Sequence, residues 1–143
     1  MSVREFVDSN ILVYFHDTSA EMKRPLATTL IERLWASGGG CASVQVLQEF
    51  YVVSTGKLGL PSDSAEAQVR RLSSWRLHSP TPEDIVTAIR IHRNRQLSFW
   101  DAMIVRSAVR LGCQILWTED LNSGQVIEGV EIRNPFTDGT DRG

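Results

Sequence analysis

The sequence predicts an α/β fold of three layers, α/β/α, around a central, mostly parallel sheet of short strands. Three observations lead there. Short apolar runs of strand length alternate with longer segments of helical periodicity, the order that gives parallel strands with helices on both faces. A length of 143 residues suits one domain, and no internal repeat or linker divides it. The chain is 42% hydrophobic and 22% charged, the balance of a compact core. A domain of that size buries roughly two-thirds of its unfolded surface and needs no disulfide staples.

The elements follow in order. Phe6-Val7 is a short buried strand, ended by the polar turn Asp8-Ser9-Asn10, after which Ile11 to Phe15 begin a helix. Pro25 fits the first turn of a second helix, which repeats Ala27, Leu30, Ile31 and Leu34 and stops at Gly38-Gly39-Gly40. Cys41-Ala42-Ser43 is the next strand, and Ser43 caps a helix to about Thr55. Asp63-Ser64-Ala65-Glu66 resembles a capping box opening a helix to about Leu72, and Thr81-Pro82-Glu83-Asp84 opens another. Ser98 caps a helix from Phe99 to Leu111 that ends at Gly112. Gln114 to Trp117 and Val130 to Ile132 complete the strands. The domain is expected to span 1–136, with a flexible tail at 137–143.

Composition excludes several classes. No basic n-region with an apolar core opens the chain and no apolar run approaches membrane-spanning length, so the cytoplasm is the expected location. Cys41 and Cys113 suit neither a disulfide framework nor a zinc cluster. The net charge is −2, from 15 Lys+Arg against 17 Asp+Glu. Thirteen of the cations are arginine, the residue that binds phosphate as a planar fork, so overall acidity does not exclude a nucleic-acid substrate.

In open α/β sheets, ligands bind beyond the carboxyl ends of the strands. Asp8 closes the first strand, and Asp120 follows Trp117 by three residues. Either acid taken alone reads as a turn or cap. Glu49 lies in Val44 to Val53, a helix apolar nearly all round and so expected to be buried, where a carboxylate needs a partner or a metal. Alternatively, Gln45, Gln48 and Glu49 form a narrow solvated stripe. Asp101 occupies the fourth place of Ser98-Phe99-Trp100-Asp101, where it could close a capping box. It shares a face with Val105, Ala108 and Gly112, which places it in a dry setting. Together, Asp8, Glu49, Asp101 and Asp120 come from four consecutive elements at one end of one sheet. Unpaired, they would repel and raise one another's pKa values. Mg²⁺ or Mn²⁺ would relieve this, and Ser9, Asn10 and Thr118 are uncharged groups able to orient the carboxylates or a phosphate.

Four stretches carry a resemblance: FVDSNILVY from Phe6, LQEF from Leu47, SFWDAMI from Ser98 and WTEDLNSG from Trp117. Together they resemble the four motifs of PIN-domain ribonucleases, and among these the VapC-type toxins of bacterial toxin–antitoxin pairs. The likeness spans Phe6 to about Phe136, with order and spacing kept. It implies Mg²⁺-dependent RNA cleavage by the quartet Asp8, Glu49, Asp101 and Asp120. Asp8 and Asp101 would be the direct ligands and Asn10 and Thr118 the polar assistants. It also implies a homodimer and inhibition by a cognate antitoxin.

Other features carry less. His16, His78 and His92 have no nucleophile beside them in sequence and read as packing or surface residues. Arg70, Arg71, Arg76, Arg90, Arg93 and Arg95 either guide an RNA backbone or line solvated helix faces. Trp35, Trp75, Trp100 and Trp117 read as core or interface residues rather than base-stacking platforms. The glycine run lacks a following Lys-Ser/Thr and is no phosphate loop. A phospho-acceptor signalling domain also gathers acids at strand ends, but it wants a late lysine, and Lys23 and Lys57 are both early. A non-catalytic binding module would be favoured by a missing acid, and none is missing. An aspartyl phosphatase would want an acid in place of Asn10.

Overall fold

A computed structural model describes residues 3–141. β1 (Glu5–Val7) is followed by α1 (Ser9–His16) and α2 (Lys23–Ser37), and β2 (Gly40–Ser43) by α3 (Val44–Gly56) and α4 (Ser62–Leu72). β3 (Arg76–His78) leads into α5 (Pro82–Arg95) and α6 (Phe99–Arg110). β4 (Ile115–Trp117), β5 (Val126–Ile127), β6 (Val130–Arg133) and α7 (Pro135–Asp138) complete the chain. The sheet has six strands in the order β3-β2-β1-β4-β6-β5, with every neighbouring pair parallel except β5–β6. The α/β class and the mostly parallel sheet are as expected.

The register fixes where the strands end. Val7 pairs with Trp117, and Phe6 with both Cys41 and Leu116. The carboxyl ends of β1, β2 and β4 therefore lie along one edge. Phe6, Val7, Leu116, Trp117 and Ile132 are fully buried in the sheet, covered by Ile11, Leu30, Leu34 and Phe50 from the helices. Gly40 is required by close approach: a Cβ there would lie 2.6 Å from the Trp75 ring.

Two buried acids brace this frame. Glu5 accepts two hydrogen bonds from Arg33, at 2.9 and 2.8 Å, and one from Trp117 Nε1 at 2.9 Å. Asp84 closes a capping box with Thr81 at the start of α5, accepts from Arg106 Nε at 2.8 Å, and lies 3.1 Å from His78 Nε2. His78 Nδ1 lies 2.8 Å from Ser107 Oγ. Burial opposes the ionised form of Asp84, but the Thr81, Arg106 and His78 contacts prevail and hold its carboxyl well below the usual carboxylate range. These contacts tie β3, α5 and α6 together.

Several expectations are corrected. α4 begins at Ser62 after Pro61 with no side-chain cap, because Asp63 accepts from the adjacent Ser64 N–H instead. α3 is not buried all round: Val44, Tyr51, Val52 and Val53 are exposed on its outer side. β3 and β5 were not expected as strands. Thr137 and Asp138, expected in the tail, finish α7, and Thr140 further along accepts at its carbonyl from Arg33 at 2.9 Å. Gly143 and Arg142 lie outside the described residues.

Candidate active site

Asp8 directly follows β1 and caps α1. Its Oδ1 accepts the Ser9 N–H at 2.7 Å and its Oδ2 the Thr118 hydroxyl at 2.8 Å, while its own N–H donates to the Trp117 carbonyl. The Thr118 oxygen also accepts the Asp120 N–H at 3.1 Å. One hydroxyl thus joins the ends of β1 and β4. Asp120 Oδ2 accepts from Asn10 Nδ2 at 3.0 Å. Glu49, in the second turn of the helix that follows β2, accepts from Ser9 Oγ at 3.1 Å and from Gln45 Nε2 at 3.3 Å.

Asp101 enters from the first turn of α6. Its N–H donates to Ser98 Oγ at 3.0 Å, but the return bond of a capping box is not made. No partner for its carboxylate is found among the described residues. Its charge is felt by Asp120. Gln45 Nε2 also reaches the Trp100 carbonyl at 3.4 Å, connecting α3 beside Glu49 to the first turn of α6. The expected dry setting for Asp101 is corrected. Val105 and Ala108 below it are buried, but Asp101 itself is half-buried beside an exposed Trp100.

The structure therefore brings Asp8, Glu49 and Asp120 together through Ser9, Asn10 and Thr118, with Asp101 near enough for its charge to act on Asp120. Among the described residues, none of the four carboxylates takes part in an ion pair. Burial pushes the Asp8 carboxyl up to about 7, and the charges of Asp120 and Glu49 add to it. The bonds from Thr118 and Ser9 pull the other way. Asp120 is raised too, first by burial and then by Asp101, Glu119 and Glu49, against its bond from Asn10.

The donor set is carboxylate and amide oxygen, which suits a hard divalent cation. Asn10 Oδ1 is buried with no hydrogen-bond partner, an acceptor left over at this site. No three His, Cys, Asp or Glu side chains among the described residues are placed to hold one ion by themselves. An ion here would need water or substrate oxygens as well, which is how Mg²⁺ usually binds, through one or two carboxylates.

Sequence reasoning missed a neighbouring clamp. Glu119 accepts from Tyr14 Oη at 2.7 Å and from Lys23 Nζ at 2.7 Å, and Lys23 also reaches Tyr14 Oη at 3.2 Å. The ammonium lies 4.8 Å from the Tyr14 ring centre and 5.3 Å from that of Phe136. Tyr14 and Asn10, one turn apart on α1, thus grip the adjacent residues Glu119 and Asp120. The available signal was Lys23, one of two lysines in the chain, and an acid next to Asp120.

The remaining candidates lie elsewhere. Arg70 pairs with Glu66, Arg95 with Glu128, Arg71 stacks on Trp35, and Arg76 donates to the Gly38 carbonyl. Trp117 and Trp75 are buried and Trp35 packs on Trp75 at 5.5 Å, whereas Trp100 is 62% exposed and is not a core residue. His78 is the buried partner of Asp84 and Ser107.

Comparison with known proteins agrees with this fold. The sequence profile of the PIN domain matches residues 6–126, and the chain belongs to the PIN-domain family. No curated protein matches its sequence. Among solved structures, it is similar to Mycobacterium tuberculosis VapC20, described as a Sarcin-Ricin loop cleaving toxin, with 24% identity and a TM-score of 0.62 over 81% of this chain and 91% of that one. It is also similar to a chain of a toxin–antitoxin complex from Klebsiella pneumoniae, with 18% identity and a TM-score of 0.67 over 88% and 94% of the two chains. A third likeness is to a chain of DNA-bound VapBC from Salmonella typhimurium, with 19% identity and a TM-score of 0.64 over 92% and 98%. PIN domains of this kind are nucleases.

Proposed function

We propose that the chain is a Mg²⁺-dependent endoribonuclease and the toxin of a toxin–antitoxin pair. The observation that carries this reading is an acid cluster built on the buried Asp8 whose hydrogen-bond partners are all uncharged. Asp8 is held near half-ionised at neutral pH by its burial, and Ser9, Asn10, Thr118 and Gln45 supply no positive charge to compensate. Such a cluster is stable as a structural feature only at a cost, and a cation removes that cost.

Asp8 and Asp101 would hold Mg²⁺, or Mn²⁺ in its place, with Glu49 and Asp120 engaged directly or through water. Bound there, the ion would supply Lewis acidity toward a phosphodiester oxygen and lower the pKa of water. The rest is done by the chain. Thr118 and Ser9 fix both Asp8 oxygens, so the carboxylate cannot rotate away. Asn10 fixes one oxygen of Asp120, and the other, Oδ1, takes the proton of the attacking water, a task suited to an acid with raised proton affinity. Glu49 is oriented beside Asp8 by Ser9 and Gln45.

Partners and location belong to the same proposal: a cytoplasmic homodimer inhibited by an antitoxin. No described helix is long and apolar enough to cross a membrane. An open groove between α3 and α4, lined by Val44, Leu47, Tyr51, Val52 and Val69, suits an apolar segment of the antitoxin. Ile85, Val86 and Ile89 on α5 form a second exposed apolar face, suited to self-association about a two-fold axis. The function is tested by incubating purified protein with total RNA. Cleavage in millimolar Mg²⁺ that stops in EDTA is expected, and intact RNA under both conditions would refute the reading.

A further inference from the structure

Building on the ribonuclease reading, we propose that Trp100 is a stacking platform for an RNA base beside the scissile phosphate, and so a specificity-determining residue. Trp100 is 62% exposed, although tryptophan is the costliest side chain to leave in water; the other large aromatic that stands out, Tyr51, is only 37% exposed. It directly precedes Asp101 in the first turn of α6. Its position is fixed from two sides. Its carbonyl accepts from Gln45, the same side chain that reaches Glu49, and its ring meets Phe99 edge-on at 5.0 Å.

Charge explains why an aromatic serves here. A single strand entering this site meets Asp8, Glu49, Asp101, Asp120 and Glu119, and the ammonium of Lys23 is already committed to Glu119 and Tyr14. Ion pairs to the RNA backbone are therefore scarce beside the quartet. A neutral ring binds a base without that electrostatic penalty, and every base offers a π-face, the larger purine ring more area. The other exposed apolar faces, on α3 and α5, are largely aliphatic, which suits protein contact better than base stacking.

The test uses a short single-stranded RNA that the wild type cuts, together with copies carrying one abasic nucleotide at each position flanking the cut. Trp100→Ala should raise KM about tenfold or more while kcat stays within about twofold, and Trp100→Phe should retain most of the wild-type affinity. One abasic copy should weaken wild type to the same degree and should not weaken Trp100→Ala further. An unchanged KM in Trp100→Ala overturns the proposal, as does a loss that adds to that of every abasic copy. If KM is unchanged and Trp100→Ala instead fails to dimerise in light scattering, the ring is a protein contact and the proposal is wrong. Failure of the wild type to cut any RNA is seen before a variant is made, and refutes the ribonuclease reading itself.

Discussion

Asp8 concentrates the electrostatics of the site. Like charges were expected to raise the pKa values across the quartet, but burial is the first cause at both Asp8 and Asp120 and the like charges add less. The consequence for stability has a definite sign. An acid whose pKa is raised to about 7 in the fold binds a proton in the native state that the unfolded chain, with an ordinary aspartate at about 4, has already released. Cation-free protein should therefore lose stability as pH rises from about 4 to about 7. Asp8→Asn should flatten that slope and melt higher than wild type in EDTA at pH 7.5. Thermal melts across this range check it, and equal slopes in both proteins would count against a strained Asp8. Tyr14→Phe removes one of the two donors to Glu119 and should weaken cation binding near Asp120 by roughly tenfold, the usual effect of losing an outer-shell partner. An unaltered Mn²⁺ titration would reduce the clamp to a purely structural role.

At the scale of elements, what was legible followed from local chemistry. Ser43, Thr81 and Ser98 cap their helices as read, because a hydroxyl three residues before an N–H has one good use. β3 was not legible, being a three-residue edge strand of mixed polarity. β5 hid in a hairpin whose loop, Glu128-Gly129, has both φ values positive, at 51° and 83°. A two-residue turn of that kind favours a glycine at its second place, so the signal was present but rested on one residue. The acid quartet was legible because strand ends and helix starts fix its backbone. The partners Tyr14 and Lys23 were not, since nothing local to them announces a contact with Glu119, about a hundred residues further along the chain. The brace around Asp84 was equally hidden. Asp84→Asn leaves Arg106 half-buried without its counter-charge and should cost about 3 kcal/mol. Because α6 carries Asp101, activity should fall with it. Urea unfolding measures the loss, and a change under about 1 kcal/mol would mean that the contacts are dispensable.

For the molecule as a whole, the surface divides by chemistry. The carboxyl edge of the sheet is acidic, while the outer faces of α3 and α5 are apolar. The sequence carries large apolar side chains beyond the need of one small core, Trp35, Tyr51 and Trp75 among them, which predicts an interface. Trp75 is instead core, Trp35 packs against it, and of the three only Tyr51 belongs to an exposed face. Self-association is accordingly expected through Ile85, Val86 and Ile89. Val86→Asp should convert a species of twice 16.0 kDa into one of 16.0 kDa by light scattering, and a wild type already monomeric at micromolar concentration would contradict it. Whether the acid cluster is one cation site is tested directly by calorimetric titration with Mn²⁺. Wild type should bind with release of protons near pH 7, as Asp8 gives up the one it holds, and Asp8→Asn should bind at least about tenfold more weakly without that release. Identical titrations of the two proteins, or no binding by wild type at millimolar Mn²⁺, would contradict it.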